Sequence, residues 1–347
     1  MNARLTVESP GALATIQDLG RPGWRRFGVP RSGALAPALL RIANALAGNA
    51  QGAPAIEFFV AGPTLAAGDA PVRLAFAGDF AVVLTRTDGT QNTIDSWRSV
   101  TLKPGEKLRA GQPRANRVGC IAVGGLECSA MLGSASTYPR ARMGGLKGTA
   151  LAAKDQLVAA SAGAKSTVER VLREVPRIAR GPIRVVLGPQ ADYFDAAAID
   201  TLCGTEYTVS SDADRMGVRL HGAPLRHDAA KGAEIVSDAT VPGSIQVPGN
   251  GLPIVLLADG QTAGGYPKIA TVASVDLPRL AVANVGTRLR FAAVSVAEAE
   301  ALARAEEAKL VACLRTIGPL LLDGDVDLES IYGSNLISGM IDAHDPP

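Results

Sequence analysis

The stretch from Ile56 to Leu65, IEFFVAGPTL, resembles the stretch from Met216 to Leu225, MGVRLHGAPL, which lies 160 positions later. A second pair, Ser99 to Arg109 (SVTLKPGEKLR) and Leu280 to Arg290 (LAVANVGTRLR), repeats at an offset of 181. Because the second offset is larger, the second half would carry an insertion, for which Val236 to Gly251 is the candidate. Internal similarity of this kind indicates a duplicated unit. Since the repeated stretches are short apolar runs broken by Gly and Pro, the repeat predicts two related β-barrels.

Short apolar runs between turn residues continue through both halves of the chain. In the first half they predict strands at Ala55 to Val60, Val72 to Phe76, Ala81 to Thr85, Ser99 to Leu102 and Val118 to Val123. In the second half they predict strands at Ile183 to Leu187, Val218 to Leu220, Ile254 to Ala258 and Arg288 to Phe291. Helical spacing of apolar residues predicts helices at Ala36 to Ala47, Ala191 to Cys203 and Val296 to Leu314. The expected fold class is therefore mainly β with a few helices.

Changes in composition divide the chain into four parts. Residues 1–160 are expected to form an N-terminal β-barrel lobe, and residues 183–295 a C-terminal one. Residues 161–182, rich in Ala, Gly, Lys, Arg and Pro, predict a linker with one short helix from Thr167 to Glu174. Residues 296–347 comprise a helix and a tail. We expect the tail to dock, because these apolar side chains would be costly to expose: Leu336, Ile337, Met340 and Ile341.

The overall composition excludes several classes of protein. Apolar residues make up 47% of the 347 residues and charged residues 20%, which excludes wholesale disorder. A net charge of +2 gives no general attraction to nucleic acid or to anionic lipid. No apolar run reaches the roughly 18 residues of a membrane span, so we expect a cytoplasmic protein with neither a membrane nor a nucleic-acid partner. The four cysteines form no CxxC pair and the three histidines lack metal-ligand spacing, so we expect buried thiols and no metal site.

Common catalytic motifs are missing, and two glycine-rich segments take their place as candidates. The sequence contains no GxxxxGK[ST], no GxGxxG after a strand, no HExxH and no GxSxG. The first segment, Thr15 to Gly33 (TIQDLGRPGWRRFGVPRSG), carries several arginines that could present guanidinium groups to a carboxylate or a phosphate. An ordered surface loop, whose arginines cap carbonyls and pair with acids, is the alternative interpretation.

The second glycine-rich segment surrounds an apolar strand. Val241 to Gly251 leads into the strand Pro253 to Ala258, which then opens into Asp259 to Ile269 (DGQTAGGYPKI). Glycines permit a ligand to approach the backbone closely. In this segment Gln261 and Thr262 could bond an amide or ureido edge, while Lys268 could supply a positive charge. The alternative here is a hairpin turn with an exposed lysine.

Four stretches of the sequence carry a resemblance to a known family. They are TIQDLGRPGWRRFGVPRSG (15–33), RMGVRL (215–220), GSIQVPGNGLPIVLLADGQTAGGYPKIATV (243–272) and SNLISGMIDA (334–343). Together they resemble the carboxyltransferase-domain family of subdomains A and B, which includes the second subunit of allophanate hydrolase and a 5-oxoprolinase subunit. The resemblance covers almost the whole chain.

The resemblance implies a fold of two related cyclophilin-like β-barrel lobes and a smaller homologous partner subunit. It also implies one of three functions. The first is a subunit of an ATP-dependent amidohydrolase that opens a small lactam such as 5-oxoproline. The second is the carboxyltransferase component of a biotin-dependent, urea-type carboxylase, which would use carboxybiotin on a separate carrier. The third is a non-catalytic regulatory partner of a kinase inhibitor.

Lactam opening and carboxyl transfer both act on a planar amide or ureido group whose oxygen gains negative charge. Both reactions therefore need fixed donors around that oxygen. We expect a site between the lobes, with Lys268 as electrostatic stabiliser and Asp18 holding Arg21 in place. The expected catalytic residues are Lys268, Gln261, Thr262 and Asp18. The expected substrate-binding residues are Gln17, Arg21, Gln246, Gly264, Gly265 and Tyr266, with no metal ligand and no permanently bound cofactor.

At four positions the chain departs from the family pattern. Ala36 stands where an acid is common, Ala135 and Thr149 stand where arginines are common, and Gly260 stands where an arginine often precedes the Gln-Thr pair. A charged hydrogen bond contributes about 1.5 to 3 kcal/mol. Loss of these charges would therefore change the preferred ligand or remove catalysis.

Overall fold

The computed structural model describes residues 2–160, 168–177 and 179–321. The expected docking tail, the SNLISGMIDA motif and Thr167 lie outside the described residues. Elements are numbered in chain order from β1 to β23 and from α1 to α4.

Eleven strands of the described chain precede residue 160 and form two antiparallel sheets, which we call the first lobe. The strands are β1 (Ala3–Ser9), β2 (Leu13–Gln17), β3 (Ala55–Phe59), β4 (Thr64–Ala67), β5 (Val72–Ala77), β6 (Ala81–Thr85), β7 (Gln91–Asp95), β8 (Ser99–Leu102), β9 (Lys107–Ala110), β10 (Val118–Val123) and β11 (Gln156–Ala159). One sheet has the order β11-β1-β4-β9-β6-β7 and the other β2-β3-β10-β5-β8. Their facing apolar residues form one core.

Helix α1 (Pro37–Ala47) covers the outer face of the five-stranded sheet. It begins with Pro37, whose fixed φ suits a first helical position, and ends at Gly48, which adopts a left-handed conformation with φ of 85°. Every residue of β3, β5 and β10 is buried, because the lobe core covers one face of these strands and α1 covers the other. The residues that pack with α1 are small: Ala55, Ala75, Ala77, Cys120 and Ala122. The larger side chains of the same strands fill the lobe core: Ile56, Phe58, Leu74, Phe76, Ile121 and Val123.

The second lobe is built on one eight-stranded, nearly closed barrel sheet. Its strands are β13 (Ile183–Leu187), β14 (Tyr207–Val209), β15 (Gly217–His221), β17 (Ser244–Gln246), β18 (Ile254–Leu256), β20 (Lys268–Val272), β21 (Arg288–Leu289) and β22 (Phe291–Ala293). Their order is β21-β14-β15-β18-β17-β20-β13-β22, and only β13 and β22 pair in parallel. A separate two-stranded ribbon joins β16 (Asp238–Ala239) to β19 (Ala263–Gly264).

Three helices accompany the second lobe in the described chain: α2 (Ala196–Gly204), α3 (Leu277–Ala281) and α4 (Val296–Arg315). Ser295 caps α4 by accepting from the Glu298 N–H, while the Glu298 side chain accepts from the Ser295 N–H. None of the described helices has the length and apolar composition of a membrane span. The mainly β fold class with a few helices is confirmed.

Two of the expected helices differ from the structure. The first turn of the stretch from Ala191 is a separate 3-10 helix, and α2 begins only after Asp195, which is extended. The helix expected from Thr167 to Glu174 is wrong, because β12 (Arg170–Leu172) lies within it and pairs with β23 (Ile317–Pro319). Leu172 and Ile317 both pack in the apolar cluster around α1, so burial favours the extended pairing over a helix. The domain boundaries remain predictions.

The internal repeat is only partly matched by the strands. β3 and β15 occupy the first repeated pair, and β9 and β21 occupy the ends of the second pair. Ser99 begins β8, whereas the matching Leu280 lies in α3. The structures of the two lobes therefore differ where α3 of the second lobe takes the place of a strand in the first.

A buried guanidinium joins the lobes. Arg215 forms an ion pair with Glu57 of β3, donates from Nε to Asp259 Oδ2 at 2.8 Å, and donates from Nη2 to the Gly33 carbonyl at 2.7 Å. Burial raises the pKa of Glu57, and the Arg215 guanidinium opposes this shift. Burial alone would lower the pKa of Arg215, but the carboxylates of Asp259 and Glu57 raise it, so the guanidinium stays charged.

A second arginine, Arg117, also links the two lobes. The Arg117 N–H donates to the Val282 carbonyl at 3.1 Å, and its guanidinium donates to the carbonyls of Ala213 and Ala281, also at 3.1 Å. The same guanidinium lies 5.8 Å from the centre of the Phe59 ring. Apolar residues of both lobes share one core beside it.

We predict that Arg215→Met lowers the free energy of unfolding by about 3 to 5 kcal/mol, because it leaves two buried carboxylates without their partner. Methionine keeps the apolar stem, so the loss would report the charge. Arg114→Met is the control, since Arg114 pairs with Asp79 and Asp95 at an exposed position and should change stability little. Urea unfolding followed by circular dichroism measures both. Equal stability of the Arg215→Met variant and the wild type would show that the junction does not depend on this charge.

Candidate functional site

Asp18 organises a loop of the first lobe. Its carboxylate accepts from Ser134 Oγ at 2.6 Å, from the Ala135 N–H at 2.7 Å and from the Gly20 N–H at 2.7 Å, and it also bonds Ser136 Oγ. Four donors satisfy this carboxylate, so its role in the structure is to shape the Ser134–Ser136 loop. We expected Asp18 to hold Arg21 in place; Arg21 donates to the Ser136 carbonyl of the loop that Asp18 shapes, so any such role is indirect. The same loop therefore holds both side chains.

Gln17 and Arg21 present buried polar atoms that lack partners. Gln17 donates to Thr15 Oγ1 at 3.0 Å and to the Thr137 carbonyl at 3.2 Å, while its Oε1 has no partner within the described residues. Arg21 is fully buried, and its Nε and Nη1 have no acceptor in the described chain. Burial lowers the pKa of Arg21, and the nearby charges of Asp18 and Asp259 oppose that shift.

In the second lobe, two glutamine side chains meet beside a glycine. Gln261 Nε2 donates to Gln246 Oε1 at 2.8 Å, and the buried Gln246 Nε2 has no acceptor in the part of the chain that the structure describes. A Cβ on Gly264 would collide with Gln246 Nε2, so glycine is what allows the amide to lie against this backbone. The result is an amide donor held in place without an acceptor.

Lys268 is buried rather than exposed, so the alternative of a hairpin with an exposed lysine is wrong. Only 3% of Lys268 is accessible, and its Nζ lies 2.8 Å from Asp238 Oδ2. The hydrogen bond from Lys268 lowers the pKa of Asp238, helped by the Ala239 N–H and by Gln190, whose Nε2 donates to Asp238 Oδ2 at 3.1 Å. The β16–β19 ribbon places this carboxylate beside the lysine.

The remaining expected residues line the same ribbon through their backbone. The Thr262 carbonyl accepts from the Thr240 N–H at 3.0 Å, and the Gly265 carbonyl accepts from the Ile235 N–H at 2.8 Å. Tyr266 is 40% exposed on the outer side of this loop. These bonds position the loop from Gln261 to Tyr266 next to Gln246 and Lys268.

Arg25 connects the two glycine-rich segments across the lobes. Its Nη2 donates to the Gln261 carbonyl at 2.9 Å and to the Thr240 carbonyl at 2.7 Å. The Ser32 N–H also donates across the lobes, to the Ala258 carbonyl at 2.9 Å. The two segments that the sequence singled out are therefore in contact.

Sequence reasoning did not single out Asp238, Gln190, Ser136 or Arg25 as parts of the site. Arg25 lay within a quoted segment, and Ser136 follows Ala135, one of the four departures from the family pattern. Asp238 lies within the candidate insertion from Val236 to Gly251, but no sequence signal linked it or Gln190 to Lys268, because they reach Lys268 only through the fold. Within the described residues, His, Cys, Asp and Glu side chains form no group of three that could hold a metal ion.

The four departures from the family pattern have different structural contexts. Ala135 is 3% exposed and contributes its N–H to Asp18, and Ala36 is also buried. Thr149 is exposed. A Cβ on Gly260 would lie 3.0 Å from the Met216 carbonyl oxygen, so this backbone would have to shift to accept a side chain.

Comparison with known proteins identifies the family. The model of the carboxyltransferase domain, subdomain A and B, matches residues 27–293, which is more than half of the chain. The chain belongs to this family. It is 38% identical over 299 residues to a 5-oxoprolinase subunit of Haemophilus influenzae, covering 85% of this chain and 92% of that protein. The corresponding 5-oxoprolinase subunit of Escherichia coli is 33% identical, with coverage of 85% and 93%.

Larger enzymes also match. The urea amidolyase of Lachancea kluyveri is 28% identical over 330 residues, which cover 88% of this chain but 18% of that protein. The crystal structure of Kluyveromyces lactis urea amidolyase has a TM-score of 0.79 at 24% identity, covering 89% of this chain and 20% of that one. The solved structure of TTHA0988 has a TM-score of 0.73 at 36% identity, and the match spans 84% of this chain but only about half, 56%, of that one. The resemblance and the fold inferred from the sequence are confirmed.

We predict that Gly264→Ala displaces the Gln246 amide and breaks its bond to Gln261. The new methyl group meets the end of a flexible side chain, so the free energy of unfolding should fall by no more than about 1 kcal/mol. Gly249→Ala is the matched control, because a Cβ there would lie 3.7 Å from Ala233 Cβ, in ordinary contact. Crystal structures of both variants test this prediction. An unmoved pair of amides in the Gly264→Ala variant would contradict it.

Proposed function

We propose that the chain is a subunit of a heteromeric ATP-dependent amidohydrolase that opens a small lactam such as 5-oxoproline, together with a smaller homologous subunit. One observation carries the proposal: the match at 38% identity extends over 92% of a 5-oxoprolinase subunit. The match to urea amidolyase is weaker, at 28% identity, and spans only 18% of that much longer protein.

The side chains around the β16–β19 ribbon suit this reaction. When a lactam ring opens, its carbonyl oxygen gains negative charge, and fixed donors in a site shielded from water stabilise that charge. Gln246 offers an amide nitrogen without an acceptor in the described chain, and Lys268 offers an ammonium group fixed by Asp238. Because Lys268 is buried, its charge acts through a medium of low dielectric, in which electrostatic interactions are strong.

In the proposal, ATP hydrolysis would supply the free energy needed to open a stable lactam ring. The sequence has no GxxxxGK[ST] loop for phosphates, so we assign the adenine nucleotide to the assembled complex with the partner subunits rather than to this chain alone. The role of this chain in the proposal is to hold the lactam and to stabilise the developing oxyanion.

A second candidate is the carboxyltransferase component of a biotin-dependent, urea-type carboxylase. The family match and the urea amidolyase relatives favour it. The ureido ring of carboxybiotin, held on a separate carrier, presents the same carbonyl-and-amide edge as a lactam. The donors of Gln246 and Lys268 therefore fit either small substrate.

Co-expression with the smaller homologue tests the proposal and separates the candidates. We expect one heteromeric peak in size-exclusion chromatography with light scattering, and glutamate formation from 5-oxoproline that requires ATP. Transfer of the carboxyl group from a carboxybiotinylated carrier to urea would support the second candidate instead. A stable complex without either activity would overturn both and would favour a regulatory role.

We predict that Lys268→Met lowers the turnover of the assembled complex at least tenfold, because one electrostatic donor to a developing oxyanion contributes about 2.7 to 4 kcal/mol. Methionine fills the buried volume, and Asp238, being about half exposed, can be solvated once its partner is gone. The melting temperature should therefore fall only by a few degrees.

Lys231→Met is the matched control. Lys231 forms an ion pair with Asp192 at the surface, outside the ribbon, so its loss should leave turnover unchanged. If Lys268→Met retains full turnover, Lys268 has only a structural role. If both variants lose activity equally, the effect is not specific to the site.

A further inference from the structure

A cavity of about 490 Å³ lies between the arginine-rich segment of the first lobe and the second lobe. Arg21, Arg25 and Arg31 line it from one side, and Pro242, Thr271 and Ser274 are among the residues on the other. Its lining within the described residues includes no Asp or Glu. Three arginines thus lie at a small cavity whose lining has no carboxylate in the described residues.

The innermost of these groups is buried without adequate compensation. Arg21 is fully buried, and the only hydrogen bond of its guanidinium within the described residues goes to the Ser136 carbonyl, leaving Nε and Nη1 without acceptors there. Asp18 and Asp259 act on Arg21 electrostatically, but each is bonded elsewhere, Asp18 to its serine loop and Asp259 to Arg215. A buried charge without a paired counter-ion is strongly unfavourable, and unsatisfied buried donors in native proteins often mark an ion or a ligand.

The other two arginines extend the positive charge towards solvent. Arg25 uses Nη2 for its bonds to the second lobe, and its buried Nη1 has no acceptor in the described residues. Arg31 is exposed and lies within ion-pair distance of no acid in the part of the chain described. The half-buried Thr271 and the exposed Ser274 could add hydroxyl donors from the opposite side.

We propose that this cavity binds the oxyanion of a small ligand, a carboxylate or a phosphate, between Arg25, Arg31 and the second lobe, with Arg21 adding its charge from beneath. Guanidinium groups are the preferred partners of both anions. The volume lies within the range of small-molecule pockets, so a small ligand would fit it. Binding of a substrate carboxylate rests on the proposed function, because 5-oxoproline carries one carboxylate. Binding of a phosphate does not depend on the proposed function.

Thermal unfolding of the isolated full chain, repeated at constant ionic strength with sodium chloride as reference, distinguishes the sources. The probes are 5-oxoproline, 2-pyrrolidinone, which is the same lactam without its carboxylate, and inorganic phosphate. A rise in melting temperature with 5-oxoproline but not with 2-pyrrolidinone identifies the carboxylate source. A rise with phosphate alone identifies the phosphate source, and the assignment of a substrate carboxylate to this cavity then fails.

Arg31→Ala tests the cavity itself and should fold normally, because Arg31 is exposed. We expect the dissociation constant of the active probe, measured by isothermal titration calorimetry, to rise at least about tenfold with the loss of one charged hydrogen bond. Arg26→Ala is the matched control: Arg26 lies on the same segment, stacks on Phe27 and does not line the cavity. Its affinity should equal that of the wild type.

Arg21→Met provides a second, independent readout. Removing an uncompensated buried charge should leave the melting temperature of the ligand-free protein equal or higher while abolishing the rise that the probe produces. The proposal is overturned if no probe raises the melting temperature above the sodium chloride reference, or if Arg31→Ala and Arg26→Ala bind alike. Because this test needs no partner subunit and no turnover, its failure is distinguishable from failure of the proposed lactam hydrolysis.

Discussion

The guanidinium of Arg215 is the interaction on which the arrangement of the candidate site depends. It bonds the carbonyl of Gly33, where the first glycine-rich segment ends, and the carboxylate of Asp259, which directly follows the apolar strand of the second segment. Through Glu57 it also reaches the central strands of the first lobe. One buried charge thus fixes both segments relative to the two sheets. Arg25 and Ser32 add further hydrogen bonds between the lobes.

The cations of this region divide into compensated and uncompensated groups. Arg215 has two carboxylates, and Lys268 has the carboxylate of Asp238. Arg21 has one carbonyl and no ion pair in the described chain. All three side chains are buried, so the difference between them lies in their partners. Compensated charges maintain the fold, whereas an uncompensated one raises the free energy of the ligand-free state and so favours the binding of an anion.

Much of the fold could be predicted because its strands are locally marked. The bounds of Ala81–Thr85, Ser99–Leu102 and Val118–Val123 match the expected strands, since each is an apolar or alternating run enclosed by Gly, Pro or Asp. The helix predicted from Ala36 to Ala47 likewise agrees with α1 to within one residue. The strand at Arg170–Leu172 could not be foreseen, because its partner lies at Ile317–Pro319, far along the chain.

The site was predictable in composition but not in its contacts. The glycine-rich segments identified Gln246, Gln261 and Lys268, and the fold brings these residues close to one another. The partners that give them their chemistry are distant in sequence: Asp238 reaches Lys268 through a two-stranded ribbon, and Ser136 reaches Arg21 through the Asp18 loop. Sequence patterns report local periodicity, whereas the charge state and exposure of a side chain depend on tertiary neighbours.

The pairing of β12 with β23 has a consequence for the topology of the chain. These strands lie just before and just after the second lobe with its long terminal helix, so the points where the chain enters and leaves that lobe are hydrogen-bonded neighbours. A unit whose ends meet in this way can be inserted into another chain, or cut and rejoined elsewhere, with little change to its interior. The two ends of the second lobe are thus paired with each other, and this pair adds to the contacts that Arg215, Arg117 and the shared apolar core make between the lobes.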